Sequence, residues 1–251
     1  MLKVCKFGGS SVAGAEQFRK VRDIVLSDDS RRVVVISAAG KRTSDDHKLT
    51  DLLYLCHAHL TYGVSCADIL AAIRSRFVSI RDELGLSYRV EDEFDAYAAT
   101  LSRDTSVDEL VSRGEYFTAR LMAETLGYAF VDAADCVFFG FDGQFDRART
   151  DTAIAAALEK SGKIVLPGFY GHVPTGKIKV MTRGGSDITG ALAAAAVNAD
   201  VYENWTDVSG ILMADPRIVE NPRPIPRITY AELREMAFMG ASVLHEESIL
   251  P

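Results

Sequence analysis

The amino-acid sequence predicts an α/β fold built on a parallel sheet, and three observations near its start carry that prediction. Residues 2–7 are a short apolar run before glycines, which is typical of a strand. Residues 16–26 have apolar side chains at helical spacing, and residues 32–36 include four consecutive β-branched residues, typical of a strand buried on both faces. A strand, a glycine loop, a helix and a second strand in this order predict parallel strands joined by right-handed crossovers.

The stretch from about residue 49 to residue 126 is mostly helical in pattern. Two apolar stripes at helical spacing, followed by a long helix at residues 109–126, predict a helical insertion into the α/β scheme. Strand patterns then return at three places, residues 128–131, 137–139 and 163–166.

Short helices and brief strands are predicted in the remainder of the chain. Residues 168–176 are rich in Gly and Pro and predict a hairpin or a lid, and residues 216–226 hold four prolines, which predicts irregular structure. The other predicted elements are helices at residues 151–158, 188–198 and 230–238 and strands at residues 200–203 and 211–213.

Composition and charge exclude several classes of protein. The chain has 251 residues, a formal charge of −7 and no dense block of Lys and Arg, so nucleic acid is not an expected partner. No stretch comes near the roughly 18 uncharged apolar residues of a membrane span, and no secretory signal is apparent, so no membrane partner is expected. The four cysteines form no C-x-x-C pair, which favours reduced thiols and a cytoplasmic location.

Cys56, His57 and His59 raise the alternative of a metal site. Histidines at positions i and i+2 of a helix point to different faces, so ordinary helix residues are the favoured interpretation and no protein-held metal is expected. The chain also lacks a Walker A motif and the H-R-D and D-F-G motifs of protein kinases.

The segment Lys6-Phe7-Gly8-Gly9-Ser10-Ser11 combines a cation with glycines at the end of the first predicted strand. Glycines let backbone N–H groups come close to an anion, and the following helix adds its positive N-terminal end. The lysine supplies a full charge at the carboxyl end of a strand, where ligands bind in open α/β sheets. The segment predicts a site for a transferring phosphoryl group, with a tight turn and a surface lysine as the alternative.

A second glycine-rich segment, Thr182-Arg183-Gly184-Gly185-Ser186-Asp187, precedes a predicted helix, with Ser186 as its N-cap. Arg183 can hold a carboxylate or a phosphate through two hydrogen bonds. Asp187 could orient Lys6, help to hold Mg²⁺ or simply face the helix dipole. A second loop of this kind, with a charged pair beside it, favours a functional site over chance.

Two weaker patterns complete the set. Ser112-Arg113-Gly114-Glu115 places a glycine inside a helical stretch at a cost of about 1 kcal/mol relative to alanine, which close packing or a ligand would have to offset. The alternative there is an exposed helical ion pair. Thr206-Asp207-Val208-Ser209-Gly210 follows a predicted strand, and Asp215 and Arg217 come soon after, where the ribose or phosphates of a nucleotide could bind.

In their order along the chain, these four motifs resemble the signatures of the amino acid kinase family, and within it the aspartate kinases. The resemblance implies a three-layer αβα sandwich with a mostly parallel central sheet. It also implies transfer of the γ-phosphate of ATP to the β-carboxylate of L-aspartate at the start of lysine, threonine and methionine biosynthesis, with Mg²⁺ bound through the phosphates. The partners implied are the small molecules L-aspartate and ATP, and a homodimer is left open.

The resemblance implies roles for individual residues as well. Lys6 would neutralise charge on the transferring phosphoryl group, Asp187 would organise Lys6, and Gly8, Gly9 and Ser10 would donate to the phosphoryl oxygens. The aspartate-binding residues would be Ser37, Thr50, Glu115, Arg183, Gly184, Gly185 and Ser186. The nucleotide-binding residues would be Lys6, Thr206, Asp207, Asp215 and Arg217.

Within that set, Arg183 would hold a carboxylate of aspartate and Glu115 would receive its ammonium. The chain would divide into an aspartate-binding part at about residues 1–176 and a nucleotide-binding part at about residues 177–251. Ser242 replaces a family lysine that can reach the nucleotide, and Leu212 stands where an aromatic residue often lies near the adenine. These departures bear on nucleotide affinity and not on the reaction class.

Family members usually carry C-terminal ACT domains that regulate the enzyme, and the printed sequence contains none. Residues 249–251 are apolar and end without a turn signal, so we expect the chain to be a fragment of a longer protein. Two alternatives stay open. One is another kinase of the family, acting on glutamate, N-acetylglutamate, carbamate or UMP, and the other is a non-catalytic module that binds an amino acid or a nucleotide.

Overall fold

The computed structural model describes residues 1–181, 184–206, 210–214 and 218–239. Within these ranges, five strands form the central sheet: β1 (Lys3–Phe7), β2 (Arg31–Ile36), β3 (Ala129–Phe130), β4 (Ile164–Pro167) and β7 (Val201–Trp205). All neighbouring pairs are parallel, in the order β3-β4-β2-β1-β7, so the predicted parallel sheet is confirmed. Because β1 lies inside the sheet, Lys6 has a neighbour on each side, Val35 of β2 and Asn204 of β7.

Helices cover both faces of this sheet, which confirms the three-layer αβα sandwich. None of the described helices is long and apolar enough to cross a membrane. The helices are α1 (Ala15–Leu26), α2 (Leu49–Tyr62), α3 (Ala67–Leu84), α4 (Val90–Ala98), α5 (Val107–Leu126), α6 (Ala133–Cys136), α7 (Arg147–Ser161), α8 (Gly185–Ala196) and α9 (Tyr230–Phe238).

The alternation of side chains along the strands divides the buried apolar residues into two cores. Phe7 and Ile36 belong to the larger core, together with residues of α1, α2, α3 and α5. Val4 and Val35 belong to the smaller core, together with residues of α7 and α8. Residues two apart along a strand share a face, so Lys6 points to the same side of the sheet as Val4. That side is the one covered by α8.

The predicted helical insertion is confirmed and consists of α2 to α5. Ser106 starts α5 as its N-cap, since the hydroxyl of Ser106 accepts a hydrogen bond from the N–H of Glu109 over 3.2 Å. Three of these helices end at a glycine in the left-handed conformation, which only glycine adopts readily. These glycines are Gly63 after α2, Gly85 after α3 and Gly127 after α5.

The predicted hairpin is also confirmed, as the antiparallel pair β5 (Tyr170–His172) and β6 (Ile178–Val180). The strand predicted at residues 137–139 is wrong, because Phe138 and Phe139 make single bridges, to His172 and to Phe145. Apolar side chains of this stretch fill the smaller core instead of extending the sheet.

A strand is also predicted at residues 211–213, where the structure has one bridge, between Leu212 and Pro224. The N–H of Met213 also donates to the carbonyl oxygen of Arg223 over 2.9 Å. Part of the proline-rich segment is therefore paired, although one bridge does not make a regular strand.

Candidate active site

The carboxyl end of β1 carries a buried lysine that is paired with an aspartate at the start of α8. Lys6 is 9% exposed, and its Nζ lies 2.6 Å from Oδ1 of Asp187. A buried ammonium without a partner is costly, and the carboxylate meets that need. The structure therefore brings together two charged residues that the sequence places far apart, at the sheet edge where ligands bind in α/β folds.

The glycine loop that follows β1 packs against the loop that follows β2. It leads into a short 3-10 turn, Gly9–Val12, before α1 begins. A Cβ atom on Gly9 would lie 2.8 Å from the carbonyl oxygen of Ala38, so the two loops touch backbone to backbone. Gly8 lies beside the lysine, because a Cβ atom there would be 3.7 Å from Nζ of Lys6. Ser10 is exposed, which leaves its hydroxyl accessible to a ligand.

A buried carboxylate on α5 faces the same loop after β2. Glu115 is 4% exposed and accepts a hydrogen bond from the N–H of Ala38. Its other oxygen, Oε2, is buried and has no hydrogen-bond partner among the described residues. Burial raises the pKa of Glu115 to about 8, and the backbone hydrogen bond from Ala38 offsets only part of that rise. An unpaired buried oxygen of this kind could accept from a cationic group of a ligand.

Gly114 explains how α5 comes close enough for that contact. A Cβ atom on Gly114 would lie 3.0 Å from Cβ of Ala38. One turn later, the hydroxyl of Thr118 donates to the carbonyl oxygen of Gly114 over 2.6 Å and accepts from the N–H of Ala39 over 3.2 Å. Close packing, one of the two compensations expected for this helical glycine, is what the structure has there.

The start of α8 is a tightly packed turn. Gly184 is the N-cap and has a φ of 81°, a conformation that favours glycine. The prediction of Ser186 as the N-cap is wrong, because the turn at Gly184 already brings the chain into the helix. Ser186 is buried, and a Cβ atom on Gly168 would lie 2.7 Å from its Oγ. A Cβ atom on Gly185 would likewise lie 2.8 Å from Cδ2 of Phe169.

Two further predicted aspartate-binding residues lie on the elements that surround this loop. The N–H of Ser37, directly after β2, donates to the carbonyl oxygen of Phe7 over 3.2 Å, so Ser37 is adjacent to the glycine loop. Thr50 is half-buried in the first turn of α2. Leu53, one turn further on, reaches within 3.2 Å of the Cβ position of Gly114.

Of the predicted nucleotide-binding residues other than Lys6, the structure describes Thr206. It is exposed and directly follows β7. Leu212 is half-buried. The other residues named in this context lie outside the described part of the chain: Arg183, Asp207, Asp215, Arg217 and Ser242.

Two residues of this region were not predicted from the sequence. Phe169 has a φ of 77°, uncommon for a large side chain, and its N–H donates to Oγ1 of Thr189 over 3.1 Å. Asn204 donates from Nδ2 to Oδ1 of Asp187 over 3.0 Å. No pattern in the sequence marks the backbone of Phe169. Asn204 could have been noticed as an amide directly after the strand predicted at residues 200–203.

The two histidines of the metal alternative each contact a backbone carbonyl. Nε2 of His57 lies 3.2 Å from the oxygen of Thr105, and Nδ1 of His59 lies 2.8 Å from the oxygen of Ser65. Within the described ranges, no group of three or more His, Cys, Asp or Glu side chains is arranged to hold a metal ion.

A paired buried cation, glycine loops and a buried carboxylate at one sheet edge define a site for anionic ligands on an αβα sandwich. Residues 1–251 match the amino acid kinase family, and the chain belongs to that family.

Several proteins and solved structures that this chain resembles are aspartate kinases. Aspartokinase 3 of Bacillus subtilis is 35% identical over 264 residues, covering 100% of this chain and 58% of that protein. The structure of Clostridium acetobutylicum aspartate kinase has 45% identity and a TM-score of 0.92, covering 100% of this chain and 56% of that one.

Aspartokinase III of Escherichia coli, solved in complex with aspartate and ADP, has 32% identity and a TM-score of 0.83. That comparison covers 100% of this chain and 59% of the E. coli chain. The chain thus spans less than two thirds of the length of each of these three relatives.

Proposed function

We propose that this chain is the catalytic domain of an aspartate kinase, which transfers the γ-phosphate of ATP to the β-carboxylate of L-aspartate and forms 4-phospho-L-aspartate. The observation that carries the proposal is the buried pair of Lys6 and Asp187 beside the glycine loop, with the carboxylate of Glu115 on the other side of Ala38. The aspartate kinases among its relatives support this choice of substrate. The reaction would begin lysine, threonine and methionine biosynthesis.

In this proposal, recognition of aspartate depends on Glu115. The ammonium of aspartate would donate to Oε2, the buried oxygen that has no partner among the described residues. Burial favours the protonated form of Glu115, whereas a cation next to the carboxyl favours its ionised form. Binding of the aspartate ammonium would therefore release a proton from Glu115. Arg183 would hold a carboxylate of aspartate, and Ser37, Thr50 and the segment Gly184–Ser186 would line the same pocket.

Phosphoryl transfer itself would depend on placement and charge. A carboxylate is already a nucleophile, so no general base is needed. The bond from the carboxylate oxygen to the γ-phosphorus forms as the bond to the leaving oxygen of ADP breaks, and no proton moves. Lys6 would neutralise charge on the transferring group, while Gly8, Gly9 and Ser10 would donate to its oxygens. Asp187 would hold Lys6 in the direction that this requires.

The nucleotide would lie on the part of the chain at about residues 177–251, with Thr206, Asp207, Asp215 and Arg217 as its contacts. Mg²⁺ prefers oxygen ligands and usually enters such sites on substrate phosphates. We therefore assign the ion to the phosphates of ATP. Bound there, it would neutralise charge on the phosphates.

The proposal also includes location and assembly. A cytoplasmic protein is consistent with four free cysteines, all of them buried, since thiols stay reduced in that compartment. The expected partners are aspartate and ATP, and the oligomeric state, including a homodimer, is to be measured by light scattering.

The test is an ADP-release assay with ATP, Mg²⁺ and L-aspartate, run in parallel with hydroxylamine to trap the acyl phosphate as a hydroxamate. We expect ADP release that depends on aspartate and a matching amount of hydroxamate. The matched control is the Lys6→Ala variant, which should form neither product at a comparable rate.

The same assay with other substrates, together with calorimetry, decides between the alternatives. A higher kcat/KM with glutamate, N-acetylglutamate, carbamate or UMP would overturn the assignment of aspartate and favour another kinase of the family. Binding of ATP and aspartate by calorimetry without any turnover would overturn the proposed activity and favour a non-catalytic binding module.

A further inference from the structure

An asparagine on β7 occupies the position beside the catalytic lysine in the sheet. Asn204 is the register partner of Lys6 in the parallel pair of β1 and β7. Partner residues of adjacent strands direct their side chains to the same face of the sheet. The two side chains therefore both face α8, which begins with the turn that contains Asp187.

Asn204 and Lys6 share one carboxylate oxygen. Nδ2 of Asn204 lies 3.0 Å from Oδ1 of Asp187, and Nζ of Lys6 lies 2.6 Å from the same atom. The carboxylate thus receives a neutral donor and a charged donor from neighbouring strands. The amide of Asn204 is neutral, so it can hold the carboxylate of Asp187 but does not attract a negatively charged phosphoryl group as Lys6 does.

The other end of the same amide has no partner in the part of the chain that the structure describes. Oδ1 of Asn204 is buried and has no hydrogen-bond partner among the described residues. A buried acceptor without a partner destabilises a fold. Asn204 is therefore a poor choice for stability alone, and its described side-chain hydrogen bond is the one to Asp187.

We propose that Asn204 is a positioning residue for phosphoryl transfer, which fixes the carboxylate of Asp187 and through it directs the ammonium of Lys6 toward the glycine loop. This inference rests on the proposed function, because it assigns Lys6 to the transferring phosphoryl group. Asn204 acts through another residue and need not touch either substrate.

A neighbouring residue of β7 supplies a matched control. The hydroxyl of Tyr202 donates over 3.3 Å to the backbone carbonyl oxygen of Asp187, not to its carboxylate. Tyr202 lies two residues before Asn204 on the same face of the strand. Tyr202→Phe therefore removes a contact between β7 and the start of α8 but leaves the carboxylate and its donors in place.

The experiment compares Asn204→Leu, Asn204→Asp and Tyr202→Phe with the parent chain. Asn204→Leu removes the donor together with the unpaired acceptor, so the thermal midpoint should be equal or higher while kcat falls about tenfold. The KM for aspartate should stay within twofold, because Asn204 acts on the lysine and not on aspartate. Asn204→Asp keeps the shape but places a second negative charge beside Asp187, so its kcat should fall further. Tyr202→Phe should keep kcat within twofold.

A second measurement does not depend on turnover. The rate at which an amine-reactive ester modifies Lys6 is followed by peptide mass spectrometry, with the exposed Lys20 as the internal reference. A lysine whose ion-pair partner is less well held reacts faster, so the ratio of Lys6 to Lys20 labelling should rise severalfold in Asn204→Leu and stay unchanged in Tyr202→Phe.

The outcomes separate the two proposals. Unchanged labelling and unchanged kcat in a folded Asn204→Leu variant would overturn the positioning role, whatever the substrate. Equal losses of kcat in Tyr202→Phe and Asn204→Leu would also overturn it and assign both effects to packing of β7. Faster labelling of Lys6 in Asn204→Leu than in the parent, together with a parent chain that does not phosphorylate aspartate, would support the positioning role and reject only the proposed function.

Discussion

The backbone of Gly40 lies directly on the backbone of Gly9. The N–H of Gly40 donates to the carbonyl oxygen of Gly9 over 2.8 Å, and a Cβ atom on Gly40 would lie 2.6 Å from the carbonyl carbon of Gly9. A real Cβ atom cannot come that close to backbone, so any side chain at residue 40 must push the two loops apart. The glycine loop beside Lys6 is therefore held in place by a residue outside the predicted motifs.

We expect Gly40→Ala to lower kcat about 10- to 100-fold, because the shift moves the glycine loop away from the proposed position of the phosphoryl group. The measurement is ADP release at saturating substrates, with circular dichroism to verify the fold. Gly14→Ala is the control, since a Cβ atom there would meet only flexible side chains, Oε1 of Gln17 at 3.4 Å and Cγ of Arg42 at 3.9 Å. A Gly40→Ala variant as active as Gly14→Ala would contradict the prediction.

We expect Lys6→Ala to lower kcat about 10²- to 10³-fold while changing the affinity for ATP less, because in the proposed reaction Lys6 acts most strongly on charge that develops during transfer. Lys20→Ala is the control, as Lys20 lies on the exposed face of α1 in an i,i+4 pair with Glu16. Steady-state kinetics and ATP titration give the two quantities. Turnover within threefold of the parent would show that Lys6 does not take part in the reaction.

The affinity for aspartate should depend on the ionisation of Glu115. Its pKa is about 8 in the folded chain, so most molecules carry a protonated, neutral side chain at pH 6.5 and an ionised one above pH 8. In the proposed site the ammonium of aspartate needs the ionised form, so KM for aspartate should fall by about tenfold or more between pH 6.5 and pH 8.5.

Glu115→Gln supplies the control for that pH dependence. Glutamine cannot ionise, so the variant should bind aspartate weakly and with little change of KM over the same range of pH. Comparison with N-acetyl-aspartate, which lacks the ammonium, should show a smaller preference for aspartate in the variant than in the parent. Parallel pH profiles for the two proteins would assign the ionisation to another group.

The free energy of unfolding should also depend on the ionisation of Glu115. The pKa of Glu115 rises from its ordinary 4.5 to about 8 on folding, so between these values the folded chain keeps a proton that the unfolded chain loses. The contribution of Glu115 to the free energy of unfolding therefore falls as pH rises through this window and stays low above it. Urea unfolding at pH 5.5 and pH 8.5 measures the difference. We expect a smaller loss with rising pH in Glu115→Gln than in the parent, and an equal loss would contradict the raised pKa.

Much of the fold could be predicted from the sequence because its first elements have simple patterns. Four consecutive β-branched residues end the strand β2, and glycines follow β1 where the chain turns into α1. Residues 137–139 misled the prediction because aromatic and β-branched residues indicate burial as well as strand. In the structure this stretch supplies side chains to the smaller core and makes single bridges.

The parts of the site that depend on residue type could be predicted from the sequence, and the parts that depend on backbone geometry were harder to predict. Lys6 and Asp187 stand out as charged residues beside glycines, and the structure places them in contact. The start of α8 was misassigned to Ser186 because a hydroxyl before a helix suggests a cap, whereas the left-handed turn at Gly184 has no signal beyond glycine itself. Asn204 was missed because its proposed role depends on strand register, which sets Lys6 opposite it.

The smaller core has a consequence for chemistry at the sheet edge. Val4 of β1 and Ile188 and Leu192 of α8 are all buried in that core. Lys6 is carried by the rigid strand and Asp187 by the helix, so the volume of the apolar side chains between them sets how far apart the two charges stand. The distance of 2.6 Å between Nζ of Lys6 and Oδ1 of Asp187 therefore depends on the thickness of that apolar layer. Ile188→Val removes a methyl group that lies outside the ligand site. It would still alter the distance between the charges of Lys6 and Asp187.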